Sequence, residues 1–271
     1  MRSNSKIREL YEAAVDQHND TSLARDLGYF HSKNRFTLRQ AEIITSYLPT
    51  AGHFLDIGTG PCLIPRVVKK LGYRVSTVDS PDASESTAIE IAKSLGIETF
   101  SAHVGRDPVP LPDASVDVVG AFDVIEHLPD SPRPFLNEIM RLLKPSGYLV
   151  LGTPNAVRLT TRIKVAMGYS NWPAVADYID TERNWGHHHE YTLAELREIL
   201  ETCGYRVILE ERIEARLGQT QLDSISEIRT QVRKHTRGKK SLMTLATSVL
   251  KIWTSLVPSL RSEIVLIATP N

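Results

Sequence analysis

The sequence predicts an α/β fold, a largely parallel sheet with helices on both faces. Three observations carry that prediction. Strand-like apolar runs alternate with helically spaced segments through the first half of the chain, a βαβ pattern repeated. The run Phe54 to Pro65, FLDIGTGPCLIP, stops on an aspartate, breaks into a glycine loop and enters a helix. Such a step presents backbone N–H groups at the carboxyl edge of a sheet, where nucleotides bind. Asp79 closes the next strand about 20 residues past the loop, the distance at which a second strand returns beside the first.

Taken in order, residues 6 to 17 and 35 to 48 show helical spacing and form an N-terminal helical cap within residues 1 to 50. After the glycine loop, Ile64, Val67, Val68 and Leu71 give a helix that stops at Gly72, and Tyr73 to Asp79 is the second strand. A helix over 83 to 95 and a strand over Ile97 to Val104 follow. Val116 to Ala121 is the fourth strand and Pro134 to Leu143 a helix, broken by Lys144-Pro145-Ser146-Gly147 before a fifth strand starting at Tyr148. Residues 156 to 186 are irregular and read as a lid or acceptor insertion. Thr192 caps the next helix, Glu195 completing a capping box. Strands over Tyr205 to Ile213 and Glu263 to Ala268 flank a helical insertion, 215 to 257.

A chain of 271 residues, 41% apolar and 24% charged, has the composition of a globular protein with one large domain or one domain carrying an insertion. Zero net charge gives nucleic acid no global attraction. Cys62 and Cys203 are too few for a disulfide framework and lack metal-site spacing, which points to a reducing, cytoplasmic setting. No apolar signal segment opens the chain, and no apolar run approaches the ~18 residues of a membrane span. The basic run up to Lys240 leads into an apolar helical pattern, so residues 229 to 256 read either as a peripheral membrane contact or as a lid helix beside solvated charges.

The glycine loop narrows the ligand. A dinucleotide fingerprint wants a third glycine where Leu63 stands, and no Lys-Ser/Thr pair follows to make a P-loop. A nucleoside without pyrophosphate remains. The Asp79 carboxylate suits both hydroxyls of a ribose. Asp123, Glu126 and His127, at i, i+3 and i+4 of an expected helical turn, form a compact titratable cluster at the same edge.

The motifs LDIGTG, VDSP, FDVIEHLPD, LLKPSGYLVLGTPN and HEYTLAELREILETCGY stand in the order of class I S-adenosylmethionine-dependent methyltransferases, which the chain resembles from about Phe54 to Val207 and again at the last strand. The resemblance implies a Rossmann-like seven-stranded sheet, mostly parallel with the last strand antiparallel, formed by residues 51 to 214 plus 258 to 271. It implies S-adenosylmethionine held by Asp56, Gly58, Thr59 and Gly60 around the methionine part. Asp79 with Ser80 would meet the ribose, Val104 the adenine side, and Phe122 and Asp123 the space near the sulfonium. The acid that many relatives carry after the third strand falls here at His103 or Val104, with Asp107 nearby.

The acceptor side resembles ubiquinone-pathway O-methyltransferases, and its Glu-His step resembles small-RNA 2′-O-methyltransferases. In those groups a divalent cation sits beside the acceptor hydroxyl, which would assign Asp123, Glu126, His127 and His187 as ligands. A metal-free reading makes His127 or one of His187 to His189 a general base. A third reading leaves Glu126 and His127 as turn-ordering residues. The expected activity is methyl transfer to a hydroxyl oxygen of a small molecule of sugar or isoprenoid-phenol type. An RNA 2′-O-methyltransferase or a non-catalytic donor-binding protein is the alternative.

Overall fold

The computed structural model describes residues 4–19, 35–49, 52–81, 86–169, 186–214, 254 and 256–271. Most of the expected insertions, 170–185 and 215–253, therefore lie outside the described residues, as does nearly all of the basic and apolar stretch 229 to 256. No helix among the described residues is long and apolar enough to cross a membrane.

Seven strands form one sheet in the order β3-β2-β1-β4-β5-β7-β6. They are β1 (His53–Ile57), β2 (Arg74–Asp79), β3 (Glu98–Ser101), β4 (Val116–Phe122), β5 (Leu143–Pro154), β6 (Tyr205–Ile213) and β7 (Glu263–Pro270). The first five run parallel, while β7 lies antiparallel to both β5 and β6. The helices are α1 (Asn4–Asn19), α2 (Arg35–Tyr47), α3 (Leu63–Lys70), α4 (Ser86–Ser94), α5 (Arg133–Leu142), α6 (Leu159–Ala166) and α7 (Leu193–Thr202).

Strand alternation sorts the core into two faces. Leu55, Val119, Leu149 and Leu266 turn to the side of Leu136 in α5 and Leu196 in α7. Their neighbours Phe54, Val118, Val150 and Val265 pack with Ile44, Ile64 and Ile91 from α2, α3 and α4. Strands buried on both faces carry continuous apolar runs, which is why β1, β4 and β7 read so plainly in the sequence. Outside α3, Leu63, Val67 and Leu71 meet Ile7, Tyr11 and Ala14 of α1.

Two elements depart from expectation. Pairing of β3 with β2 ends at Ser101, short of Val104, because the chain turns at Gly105, whose φ is +94°. β5 begins at Leu143 rather than Tyr148. The register shift between Val116 and Val118 absorbs Lys144 to Gly147, and Lys144 Nζ anchors that bulge at 2.8 Å from both oxygens of Asp117.

Candidate active site

The loop after β1 is shaped by positive φ angles at Gly58 (72°), Gly60 (48°) and Cys62 (57°). The Gly58 N–H donates to Val78 O at 3.0 Å and the Thr59 N–H to Asp79 Oδ2 at 3.1 Å, so the ends of β1 and β2 are fastened together. Gly58 has no room for a side chain: a Cβ there would lie 2.5 Å from Cγ2 of Val124. Beneath the loop Asp56 is buried, and burial pushes its carboxyl up to about 7, with the Thr59 hydroxyl opposing the shift.

A cavity of about 710 Å³ opens at this edge of the sheet. Gly58, Asp79, Ser80 and Val104 line it on the β1–β3 side, and Asp123 and His127 on the β4 side. Of the residues the sequence singled out, those six share one space with His103 and His188. Asp56 and Thr59 are buried beneath it, and Gly60 is half-buried beyond its lining. Phe122 differs from expectation: its ring turns into the core with Phe54 and Val118. The cause is strand alternation, with Gly120 leaving the space that the ring fills.

The third-strand acid resolves into a local contact. Asp107 Oδ2 accepts the His103 N–H at 3.0 Å and faces His103 Nδ1 at 3.3 Å, so it closes its own turn. His103, Val104 and Arg106 then line the cavity there.

The β4 side of the cavity is built on Asp123, whose φ of +53° takes it out of any helical turn. A 3₁₀ turn covers only Ile125–His127. The expectation that Asp123, Glu126 and His127 share a helical face is thereby corrected. The chain must leave β4 sharply to bring His127 back over the sheet edge, and the left-handed residue makes that turn. Among the described residues the cluster able to hold a cation comprises Glu126, His127 and His187, whose ligand atoms lie within 4.8 Å of one another. Asp123 is not part of it.

Glu126 is fully buried. Its Oε2 accepts the Thr153 hydroxyl at 2.9 Å while Oε1 has no hydrogen-bond partner among the described residues. Burial first, and the nearby Asp123 charge second, raise its carboxyl well above the usual range. Its backbone carbonyl accepts the N–H of His188 at 2.7 Å and of His189 at 3.2 Å, docking the histidine segment onto the turn. His188 thus reaches the cavity wall, whereas His187 sits behind His127, their rings edge to face with centroids 4.8 Å apart.

His187, Glu190 and Arg158 form a further connection that sequence reasoning missed. Glu190 Oε1 lies 2.8 Å from His187 Nδ1, and Arg158 grips both Glu190 oxygens at 2.6 and 3.1 Å. No sequence signal couples residues 32 apart across an irregular stretch.

A sheet of this topology, with a glycine loop, an acid at the second strand and a cavity between them, defines an α/β nucleotide-binding protein. The comparisons narrow the class. The family model "Methyltransferase domain" matches residues 27–210, and the chain belongs to that family. A probable S-adenosylmethionine-dependent methyltransferase of Mycolicibacterium smegmatis is 43% identical over 105 residues, 39% of this chain and 34% of that protein. The ubiquinone biosynthesis O-methyltransferase of Maricaulis maris is 33% identical over 119 residues, 44% of this chain and 46% of that protein. The chain thus spans between a third and a half of the length of these relatives. A crystal structure of a SAM-dependent methyltransferase from Archaeoglobus fulgidus superposes with a TM-score of 0.54 at 21% identity, covering 85% of this chain and 91% of that one, which speaks for the fold.

Proposed function

We propose that this protein transfers the methyl group of S-adenosylmethionine to a hydroxyl oxygen of a small molecule, of sugar or isoprenoid-phenol type. The observation that carries the reading is the single cavity joining Gly58 and Asp79 to Asp123, His127 and His188. On this reading the donor lies over the Gly58 loop with its ribose on Asp79, and its sulfonium faces the β4 end. The acceptor oxygen attacks the methyl carbon in line as the carbon–sulfur bond breaks, and S-adenosylhomocysteine leaves. The methyl is already electrophilic, so alignment supplies most of the acceleration. The acceptor proton passes to an imidazole, and His127, in the cavity wall, is the one we assign.

The Glu126, His127 and His187 cluster supports a second reading, in which these side chains hold a divalent cation that lowers the pKa of the acceptor hydroxyl. Two imidazoles and one carboxylate fit a nitrogen-accepting ion such as Zn²⁺ better than Mg²⁺. The buried Glu126 Oε1 is a further point in its favour.

Calorimetry and an acceptor panel test the proposal together. Replacing Asp79 by alanine should weaken S-adenosylmethionine binding by about tenfold or more, some 1.4 kcal/mol; an unchanged affinity removes the ribose assignment. Tight donor binding with no turnover on sugars, phenols or RNA would overturn the transfer reading. Full activity in chelator would dismiss the metal.

A further inference from the structure

His187 is set back from the cavity, yet a chain of buried and half-buried side chains holds it. Glu190 faces its Nδ1 at 2.8 Å, and the two side chains are 28% and 9% exposed. Arg158, 16% exposed, closes on both oxygens of the same carboxylate. Arg158 Nη1 also donates to Asn155 O at 3.0 Å. Asn155 is fixed in turn, its Nδ2 donating to Ser259 O at 3.1 Å and Arg261 O at 2.8 Å. The far end of the segment is stitched to the same place, since Ala156 N–H donates to Tyr191 O at 3.0 Å. The histidine segment is therefore fastened on one side to the Glu126 carbonyl and on the other to the end of β5.

A mostly buried ion pair is a poor source of net stability, because desolvation offsets the attraction. What a forked, bidentate clamp supplies is direction. An ionised carboxylate only accepts hydrogen bonds, so a neutral imidazole facing it must carry its proton on Nδ1 and keep Nε2 bare.

We propose that Glu190, clamped by Arg158, is a positioning residue that locks His187 in the Nδ1–H tautomer and, through the edge-to-face contact, sets the His127 ring in the cavity wall. The inference rests on the reading that His127 serves the acceptor hydroxyl, and it adds the partners that orient it. It applies whether His127 takes a proton or joins His187 and Glu126 around a cation, since an outer carboxylate sets a histidine's tautomer in both settings.

The test is long-range ¹H–¹⁵N NMR of the full chain labelled at histidine, at a pH where the rings are neutral, with His187 assigned from the signals lost in His187→Gln. Wild type should show Nδ1–H at His187. In Glu190→Gln the Arg158 guanidinium takes the amide oxygen and leaves the NH₂ facing Nδ1, so the tautomer should switch to Nε2–H and the His127 signals should move with it. Glu190→Asp keeps the acceptor and should keep Nδ1–H. Arg158→Lys, which loses the fork but not the charge, should give a mixture and reads the same device if Glu190→Gln fails to fold. S-adenosylmethionine affinity should stay within about twofold in each folded variant. With an acceptor in hand, Glu190→Gln should lose about 10- to 100-fold in kcat with the donor KM unchanged. Nε2–H in the wild type, or His187 and His127 signals indifferent to both variants, overturns the inference. A switched tautomer in a protein that methylates nothing leaves the inference standing and removes the proposed function.

Discussion

At Gly58, in the loop that lines the cavity, two independent demands meet. Its φ of +72° costs a side chain roughly 1 to 3 kcal/mol, and a Cβ would press on Val124 at 2.5 Å. Gly58→Ala should therefore lower the thermal midpoint and weaken S-adenosylmethionine binding by tenfold or more, since the loop and Val124 both line the cavity. Adding Val124→Ala should relieve the clash but not the backbone strain, recovering part of each loss. A double-variant cycle in calorimetry would show that coupling, and strictly additive losses would refute it. Gly58 and Asp79 were legible because each belongs to a short local pattern fixed by strand length and turn geometry. Arg158 and Glu190 were not, since an ion pair formed across a long connection leaves no local signature. Phe122 was misread for a related reason: its neighbour Asp123 faces the cavity, and pleating turns adjacent residues apart.

Among the elements, α7 shows how a local signal serves the site. The Thr192 side chain accepts the Glu195 N–H at 3.3 Å while Glu195 Oε2 accepts the Thr192 N–H at 2.7 Å, the reciprocal cap read from the sequence. The helix buries Leu193, Leu196 and Leu200 against the sheet and begins directly after the histidine segment. Thr192→Ala should cost about 1 kcal/mol, seen as a drop of roughly 2–4 °C in the midpoint. Donor affinity should hold, because the histidine segment is fastened separately at Glu126 O and Tyr191 O. A loss of donor affinity matching the loss of stability would contradict that independence. Helices and buried strands announced themselves through period and caps; the ends of β3 and β5 did not. Those ends depend on Gly105 and on the Lys144–Asp117 pair, tertiary features that hydrophobic period does not encode. The same holds for the turn at Asp123, whose left-handed backbone displaces an expected helical face.

At the scale of the whole molecule the two edges of the sheet respond to protons in opposite senses. At the amino edge His53 is buried, its Nε2 2.8 Å from Ser76 Oγ, which donates to Glu98 Oε2 at 2.8 Å. Burial, then the Arg74 charge, hold His53 below its ordinary 6.5. Because the unfolded chain binds that proton more readily, the His53 contribution is lost as pH falls below 6.5. At the carboxyl edge the raised Asp56 makes the native state the better proton binder between 3.8 and about 7, so its contribution is lost as pH rises through that window. Just below 6.5, where His53 takes up its proton in the unfolded chain, the two slopes oppose each other and each masks part of the other. Single variants should unmask each slope. Relative to the wild type, His53→Gln removes the acid-side term and should steepen the fall in stability as pH rises toward 7, while Asp56→Asn should make that fall shallower, the raised Glu126 still contributing to it. Denaturant midpoints for both variants and the wild type across this range provide the measurement. Three parallel curves would show that neither group titrates with folding. The asymmetry also bears on the site, for Asp56 retains a carboxyl that weakens the fold near neutrality, beneath the loop where a cationic donor would restore its charge. Bound S-adenosylmethionine should therefore flatten the wild-type fall toward 7 and leave the Asp56→Asn profile unchanged in shape.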